Sequence, residues 1–364
     1  MASKGRLCRE WPEDERRGSA DVELRKSLIC GMCRSSAGSI MLLWKGANRR
    51  NIERTGERAF MLACRKRRKM RAQRTVYRTP IVDGERWRAY DHRPGDIFIC
   101  TPAKCGTTWM QTIVASLLWP HGDFPGTAME IGVWFDGLIY DFDEIKARYA
   151  AQTHRRYIKT HTPADGIPIF DTAKYIVVGR DGRDAFMSLF NHARHLRADL
   201  IARLNAEVVK RGVEPTTKFD GDIHGFFEAW ISDAPLMRHI ASWWELRDEP
   251  NVLFVHFGDL KRDLEREMRR VGAFLEIEVH EASWPEAVAR CTFEGMRENS
   301  GKVGDFERVF EGGAKSFLFK GTNGRWREVL TEAELYRYHR RVEELLSPEA
   351  ARWLEHGAPM RIPR

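Results

Sequence analysis

Short apolar runs alternate with longer stretches of helical period along most of this chain. Ile97-Phe98-Ile99-Cys100, Tyr175-Ile176-Val177-Val178 and Val252-Leu253-Phe254-Val255 are brief and almost wholly apolar, which suits strands buried on both faces of a sheet. Strands are predicted over 96–101, 156–160, 174–179 and 251–256. Helices are predicted over 107–119, 181–197, 222–230, 233–247, 258–275, 281–290 and 331–346. Such alternation implies an α/β fold with a central, mostly parallel sheet covered by helices on both faces. Segments 121–155 and 198–221 have weak periodicity with several Gly, Pro and Asp, and they read as loops. Residues 300–318, with Gly301, Gly304, Gly312 and Gly313, read as a mobile lid. No internal repeat is evident.

Composition supports a globular enzyme. The chain has 364 residues, 43% of them apolar, with 12 Trp and 19 Phe to fill a core. No run approaches the roughly 18 apolar residues that span a membrane. Seven cysteines without regular spacing argue against a secreted disulfide framework, so a reducing cytoplasm is the expected location. Cys30-Gly31-Met32-Cys33 has no partner pair to complete a metal site.

Charge divides the chain. Residues 1–75 hold 20 Lys+Arg against 8 Asp+Glu, a balance of +12, and since the whole chain carries 60 against 52, the other 289 residues hold 40 against 44, or −4. The basic character therefore belongs to the N-terminal segment, which contains Arg65-Lys66-Arg67-Arg68-Lys69. Such a run can bind nucleic acid or anionic lipid, but a solvated, disordered extension over 1–75 is favoured, followed by one domain over 76–364. Met70 stands just ahead of that domain and is the expected natural start.

The candidate chemistry begins where the first strand ends. Thr101-Pro102-Ala103-Lys104-Cys105-Gly106-Thr107-Thr108-Trp109 links the 96–101 strand to the 107–119 helix. Gly106 lets the backbone approach an anion, Thr107 and Thr108 open a helix whose first N–H groups are free, and Lys104 adds a mobile charge. The order differs from the triphosphate loop G-x-x-x-x-G-K-[ST], because the lysine precedes the glycine.

This segment resembles the 5′-phosphosulfate loop of sulfotransferases that use 3′-phosphoadenosine 5′-phosphosulfate. Three further segments carry the resemblance, which extends over roughly 76–346. Lys159-Thr160-His161 resembles the K-T-H segment with the catalytic histidine; Val177 to Ser188, with Arg180 and Ser188 eight apart, is similar to the 3′-phosphate signature; Phe319-Lys320-Gly321-Thr322-Asn323-Gly324-Arg325-Trp326 is similar to the R-K-G-x-x-G-x-W loop. The resemblance implies a P-loop-containing three-layer α/β fold and a soluble enzyme that passes a sulfuryl group to a small alcohol, phenol or amine. It implies His161 as base, Lys104 and Lys159 as charge-absorbing partners, and a donor site comprising Lys104, Gly106, Thr107, Thr108, Trp109, Arg180, Ser188, Phe257, Phe293, Lys320 and Gly321. No metal is expected, because a sulfuryl group carries less charge than a phosphoryl and a lysine with backbone donors can serve it. Trp134, Phe135 and Tyr140 hint at an apolar or aromatic acceptor beside loops 121–155 and 198–221.

Four positions depart from the pattern. Phe319 stands where the family usually has arginine, so one phosphate contact is missing or supplied by Arg325 or Arg327. Phe257 replaces a tyrosine, Cys291 begins what is usually T-S-F, and Cys105 replaces a cradle serine. Arg327 to Glu332 only partly matches a short dimer-forming motif, so a homodimer is left open. Two other classes remain: a P-loop kinase, which would need a glycine-lysine-serine/threonine order and a metal-holding aspartate, and a nucleic-acid-binding protein acting through the basic segment.

Overall fold

A computed structural model of the chain describes residues 70–215 and 221–357. A two-residue strand, β1 (Met70–Arg71), pairs antiparallel with β4 (Ile169–Phe170). The main sheet consists of β2 (Ile97–Cys100), β3 (Tyr157–Thr160), β5 (Lys174–Gly179) and β6 (Val252–His256), all parallel, in the order β3-β2-β5-β6. Sheet pairing thus starts at Met70, ahead of the boundary expected at 76, and the N–H groups of Arg74 and Thr75 both donate to Asp165. The lone C-x-x-C and the basic run fall outside the described residues.

Alternation along a strand builds the three layers. Phe98 and Cys100 enter one apolar cluster with Tyr175, Val177, Phe186, Phe227 and Trp243, while Ile97 and Ile99 enter another with Met110, Ile113, Val178, Met268 and Trp284. Successive side chains point to opposite faces, so a strand covered on both sides must be apolar at every position. The first face carries helices Gly182–Arg194, Ile223–Asp233, Pro235–Trp244, Glu332–Leu345 and Pro348–His356; the second carries Thr107–Leu118, Leu264–Leu275 and Trp284–Cys291. Phe98 is fully buried and stacks on Tyr175 with ring centroids 4.8 Å apart, a contact whose removal as Phe98→Ala costs about 3–5 kcal/mol.

The two segments read as loops contain helices. Phe142–Ala151 lies within 121–155; its cap, Asp141, accepts from the N–H groups of Asp143 and Glu144. Only Ile145 and Tyr149 are buried there, too few positions to make a visible period. Ala198–Val209 lies within 198–221 and anchors Leu200, Leu204 and Val208 in a third apolar cluster with Phe306, Val309 and Phe310. That cluster also holds the segment expected to be a lid, which contains the short helices Ser300–Val303 and Gly313–Phe317. The helix expected over 258–275 breaks at Asp263, whose carboxylate caps the N–H of Arg266. Pro348–His356 was not expected; Ser347 caps it and Pro348 opens it.

Candidate active site

The four motif-bearing segments meet at the C-terminal edge of the parallel sheet, where open α/β sheets bind ligands. Beyond β2 the chain turns through two left-handed residues, Lys104 (φ 67°) and Gly106 (φ 109°), into helix Thr107–Leu118. Gly106 is the N-cap and supplies no side-chain cap, so the first N–H groups of a 12-residue helix face the turn. A Cβ built on Gly106 would lie 3.0 Å from the Phe257 ring. Thr107 and Thr108 are buried, and Thr107 shares a short hydroxyl hydrogen bond with Thr101.

His161 follows β3 and is tied to the cradle. Its Nδ1 lies 2.7 Å from the Thr101 carbonyl oxygen; a carbonyl only accepts, so Nδ1 carries the proton and Nε2 is the acceptor nitrogen. Burial, reinforced by Lys159, holds the imidazole well below the usual histidine range. The Trp134 ring stands edge-on to His161 at 4.6 Å, and the Lys159 ammonium lies 4.8 Å from the same indole. Lys159 and His161 share one side of the strand end. Thr160 and Thr162, on the other, donate to the buried Asp136, which also accepts from the Trp87 indole at 3.0 Å. This clamp holds the strand in register. Burial pushes the Lys159 ammonium down to about 8.

Lys104 is half-buried, and its Nζ donates to His192 Nδ1 at 3.2 Å while lying 4.1 Å from the Phe317 ring. Burial, then Lys159 and Arg180, lower its pKa to about 7. His192 is an acceptor here and stays neutral; burial and Lys104 hold it well below its ordinary range. Sequence reasoning missed His192, although it lies one turn beyond Ser188 on helix Gly182–Arg194, on the face that Ser188 was chosen for. Ser188 itself is partly buried on that helix.

Arg180, at the end of β5, is 6% exposed. Its guanidinium lies 4.1 Å from the Phe257 ring, Nη2 donates to Asn323 Oδ1 at 2.8 Å, and Nε is buried with no partner among the described residues. Asp181, a carboxylate that could have neutralised it, is taken by Arg183 at 2.7 Å. Glycines flank the strand end so that late elements pack closely: a Cβ on Gly179 would stand 2.3 Å from Trp353. Burial lowers the Arg180 pKa, and burial drives the Cys105 thiol beside it up to about 12. Cys105 is therefore a buried, unreactive member of the turn rather than a thiolate.

The loop 319–326 reaches this edge from the end of the chain. Gly324 N–H donates to Asp184 at 2.6 Å and Lys261 Nζ donates to the Gly321 carbonyl at 2.7 Å. Gly321 packs on Phe293, which a Cβ would meet at 2.9 Å. Lys320 is exposed, its ammonium 5.2 Å from the Phe319 ring. Trp109 stands edge-on to Phe257 at 5.0 Å and donates its indole N–H to the Cys291 carbonyl at 2.7 Å, so it braces the pocket wall with only part of its ring free. Among the described residues none of Lys104, Lys159, Arg180 and Arg325 is paired with a carboxylate. Such concentrated, partly desolvated positive charge suits a ligand with several negative charges. No group of three His, Cys, Asp or Glu among the described residues is placed to hold a metal ion.

Most of this chain matches known proteins. The family model described as "Sulfotransferase domain" matches residues 94–348. A glycolipid sulfotransferase of Mycobacterium bovis (strain BCG / Pasteur 1173P2) is 30% identical over 311 residues, covering 78% of this chain and 95% of that protein. Human sulfotransferase 1C2 is 26% identical over 275 residues, covering 70% and 86%. Among solved structures, mouse sulfotransferase SULT7A1 complexed with PAP superposes with a TM-score of 0.58 at 19% identity, covering 74% of this chain and 90% of that one. Retinol dehydratase in complex with androsterone and inactive cofactor PAP gives 0.54 at 23% identity, covering 71% and 82%. These structural likenesses establish the shared fold.

Proposed function

Since the chain belongs to the sulfotransferase family, we propose that it takes 3′-phosphoadenosine 5′-phosphosulfate as donor and passes the sulfuryl group to a hydroxyl or amine of a small acceptor, with His161 as base. The observation that carries this reading is the tautomer of His161. Its Nδ1–H is committed to Thr101, the first residue of the cradle, so Nε2 keeps its lone pair, and burial keeps the ring neutral at physiological pH. When bound, the donor supplies a sulfuryl group on a 5′-phosphate that departs as the new bond forms. His161 Nε2 accepts the proton of the acceptor group. Lys104, on the cradle, is placed to hold the charge that grows on the departing phosphate oxygen, and Lys159, one strand away, to hold charge on the sulfuryl oxygens. Gly106 and the first N–H groups of the helix hold the 5′-phosphate.

The orphaned Nε of Arg180 and the cradle that a Cβ would crowd fit such a donor. Arg180 binds the 3′-phosphate, with Ser188, Lys320 and Gly321 as further contacts and with Trp109, Phe257 and Phe293 around the base. The family assignment displaces the kinase alternative. Trp134 beside His161 favours an acceptor with an apolar body, a class to which the glycolipid, androsterone and retinol named for the relatives and solved structures belong. We place the enzyme in the cytoplasm, acting on small molecules rather than nucleic acid or membranes, with a homodimer as one assembly; no described helix is long and apolar enough to cross a membrane.

The test is calorimetric binding of adenosine 3′,5′-bisphosphate, 5′-AMP and ATP in magnesium-free buffer to wild type and Arg180→Ala. Tight binding of the 3′-phosphorylated nucleotide alone, lost in the variant, is expected. A magnesium-dependent preference for ATP overturns the donor assignment.

A further inference from the structure

The family pattern leaves this chain one arginine short, because Phe319 stands at the first position of R-K-G-x-x-G-x-W. Two arginines follow within the same loop, and their surroundings differ. Arg327 is exposed, with its guanidinium 4.5 Å from the Trp326 ring. Arg325 is half-buried, its guanidinium lies 5.6 Å from the ring of Phe319, and its Nε is buried without a hydrogen-bond partner. Among the described residues Arg325 makes no ion pair.

The loop turns Arg325 toward Arg180. Gly324, with φ 83°, is pinned by its N–H to Asp184, and Asn323 on its other side offers Oδ1 to Arg180 Nη2 at 2.8 Å. Arg180 and Arg325 therefore flank one short turn, near enough that the charge of Arg325 disfavours that of Arg180. Each has a buried, unpartnered Nε. Asp184 and Asp181 lie near enough to favour the Arg180 charge, but neither bonds to Arg180 or Arg325: Asp184 accepts from the Gly324 N–H and Asp181 is paired with Arg183. Two like charges, partly desolvated and with no carboxylate bonded to either, favour an anion that comes between them. A phosphate dianion has the charge and the oxygens to accept from both forks.

We propose that Arg325 supplies the second guanidinium of the 3′-phosphate site, so that Arg180 and Arg325 grip that phosphate together and Phe319, at the position it has taken over, serves as the aromatic shelf under Arg325. The proposal rests on the donor reading above and deepens it: the arginine has moved six positions along the loop and reaches the same site from its other side. Asn323 Oδ1, now on Arg180, is the neutral oxygen that a phosphate oxygen displaces.

Calorimetric titration with adenosine 3′,5′-bisphosphate and with 5′-AMP tests it on the full chain, using wild type, Arg325→Ala, Arg325→Gln, Arg327→Ala and the double variant Phe319→Arg/Arg325→Ala. Loss of one charge-assisted fork lowers bisphosphate affinity by about ten- to hundredfold. The affinity for 5′-AMP stays unchanged in Arg325→Ala and Arg325→Gln, Arg327→Ala behaves as wild type, and the double variant regains part of the preference. Arg325→Gln retains a hydrogen-bonding side chain of similar length and keeps the test decisive if Arg325→Ala does not fold. A wild type that prefers the bisphosphate, with that preference intact in the Arg325 variants or lost in Arg327→Ala instead, overturns this assignment alone. A wild type that shows no preference for the 3′-phosphate overturns the donor reading, and this assignment with it.

Discussion

His161 donates its Nδ1 proton to the carbonyl of Thr101 at 2.7 Å, which joins the end of β3 to the first residue of the anion cradle. Thr101 in turn donates its N–H to the Thr160 carbonyl at 3.2 Å. The two segments are thus fastened to each other in both directions, and the distance between proton acceptor and bound anion is set by neighbouring parallel strands. Rigid elements position reacting groups more precisely than loops do.

Replacing His161 by alanine removes the proton acceptor and leaves the cradle. Turnover is expected to fall by about 10²- to 10⁴-fold, while the affinity for adenosine 3′,5′-bisphosphate stays as in wild type. Steady-state kinetics on an acceptor found by screening, alongside calorimetry, separates the two. Equal losses in binding and turnover would assign His161 a structural role.

Nucleotide affinity should depend on pH through Lys104 and Lys159, lowered to about 7 and about 8. Each lysine attracts an anion only when protonated, so affinity is complete below the lower value and is lost as pH rises through both. A bound polyanion favours the charged forms, so binding at pH near 8 should take up protons. Calorimetry in two buffers of different ionisation enthalpy measures that uptake; an affinity constant from about pH 6.5 to 9 counts against both assignments.

His239 is 1% exposed, and both ring nitrogens lack a partner among the described residues; burial lowers its pKa to about 3. In the unfolded chain it titrates near 6.5. Its contribution to stability is therefore complete above that value and is lost as pH falls toward the folded value, by about 1.4 kcal/mol per pH unit. His239→Leu removes this dependence and should be relatively more stable at acid pH. Urea midpoints at pH 7, 6 and 5 for the variant and wild type test this, and parallel declines would refute it.

Gly106→Ala combines a left-handed φ of 109° with a Cβ 3.0 Å from Phe257. The strain costs about 1–3 kcal/mol and shifts the N–H groups that face the anion. Nucleotide affinity should drop, and adding Phe257→Ala should relieve the steric share of the stability loss while leaving the φ share. Thermal melts of the single and double variants distinguish the two shares; full recovery in the double variant would show that φ strain is negligible.

Short-range patterns carried the fold class and the phosphate-binding turn. Strands β2, β5 and β6 were legible because a parallel strand buried on both faces is mostly apolar, and the cradle because strand, turn, glycine and helix lie within a dozen residues; β3, at the sheet edge, carries Lys159 and Thr160 and shows no such run. The helices Phe142–Ala151 and Ala198–Val209 were not, since each buries only two or three side chains and their partners lie far along the chain. Pro348–His356 was missed although it carries a serine cap and an N-terminal proline.

The sequence by itself determined which residue types were available to the site and in what order they occur: Lys104, His161, Arg180 and the glycine-rich loop after Phe319. Tertiary structure decided what those residues do to one another. It set the tautomer of His161 through a carbonyl 60 residues away, put His192 against Lys104 across 88 residues, and brought Asn323 to Arg180 across 143. It also separated Arg325 from Arg327, which the one-dimensional pattern left equivalent. Charge, burial and hydrogen-bond direction depend on distances in space, and no local period along the chain encodes contacts closed over such separations.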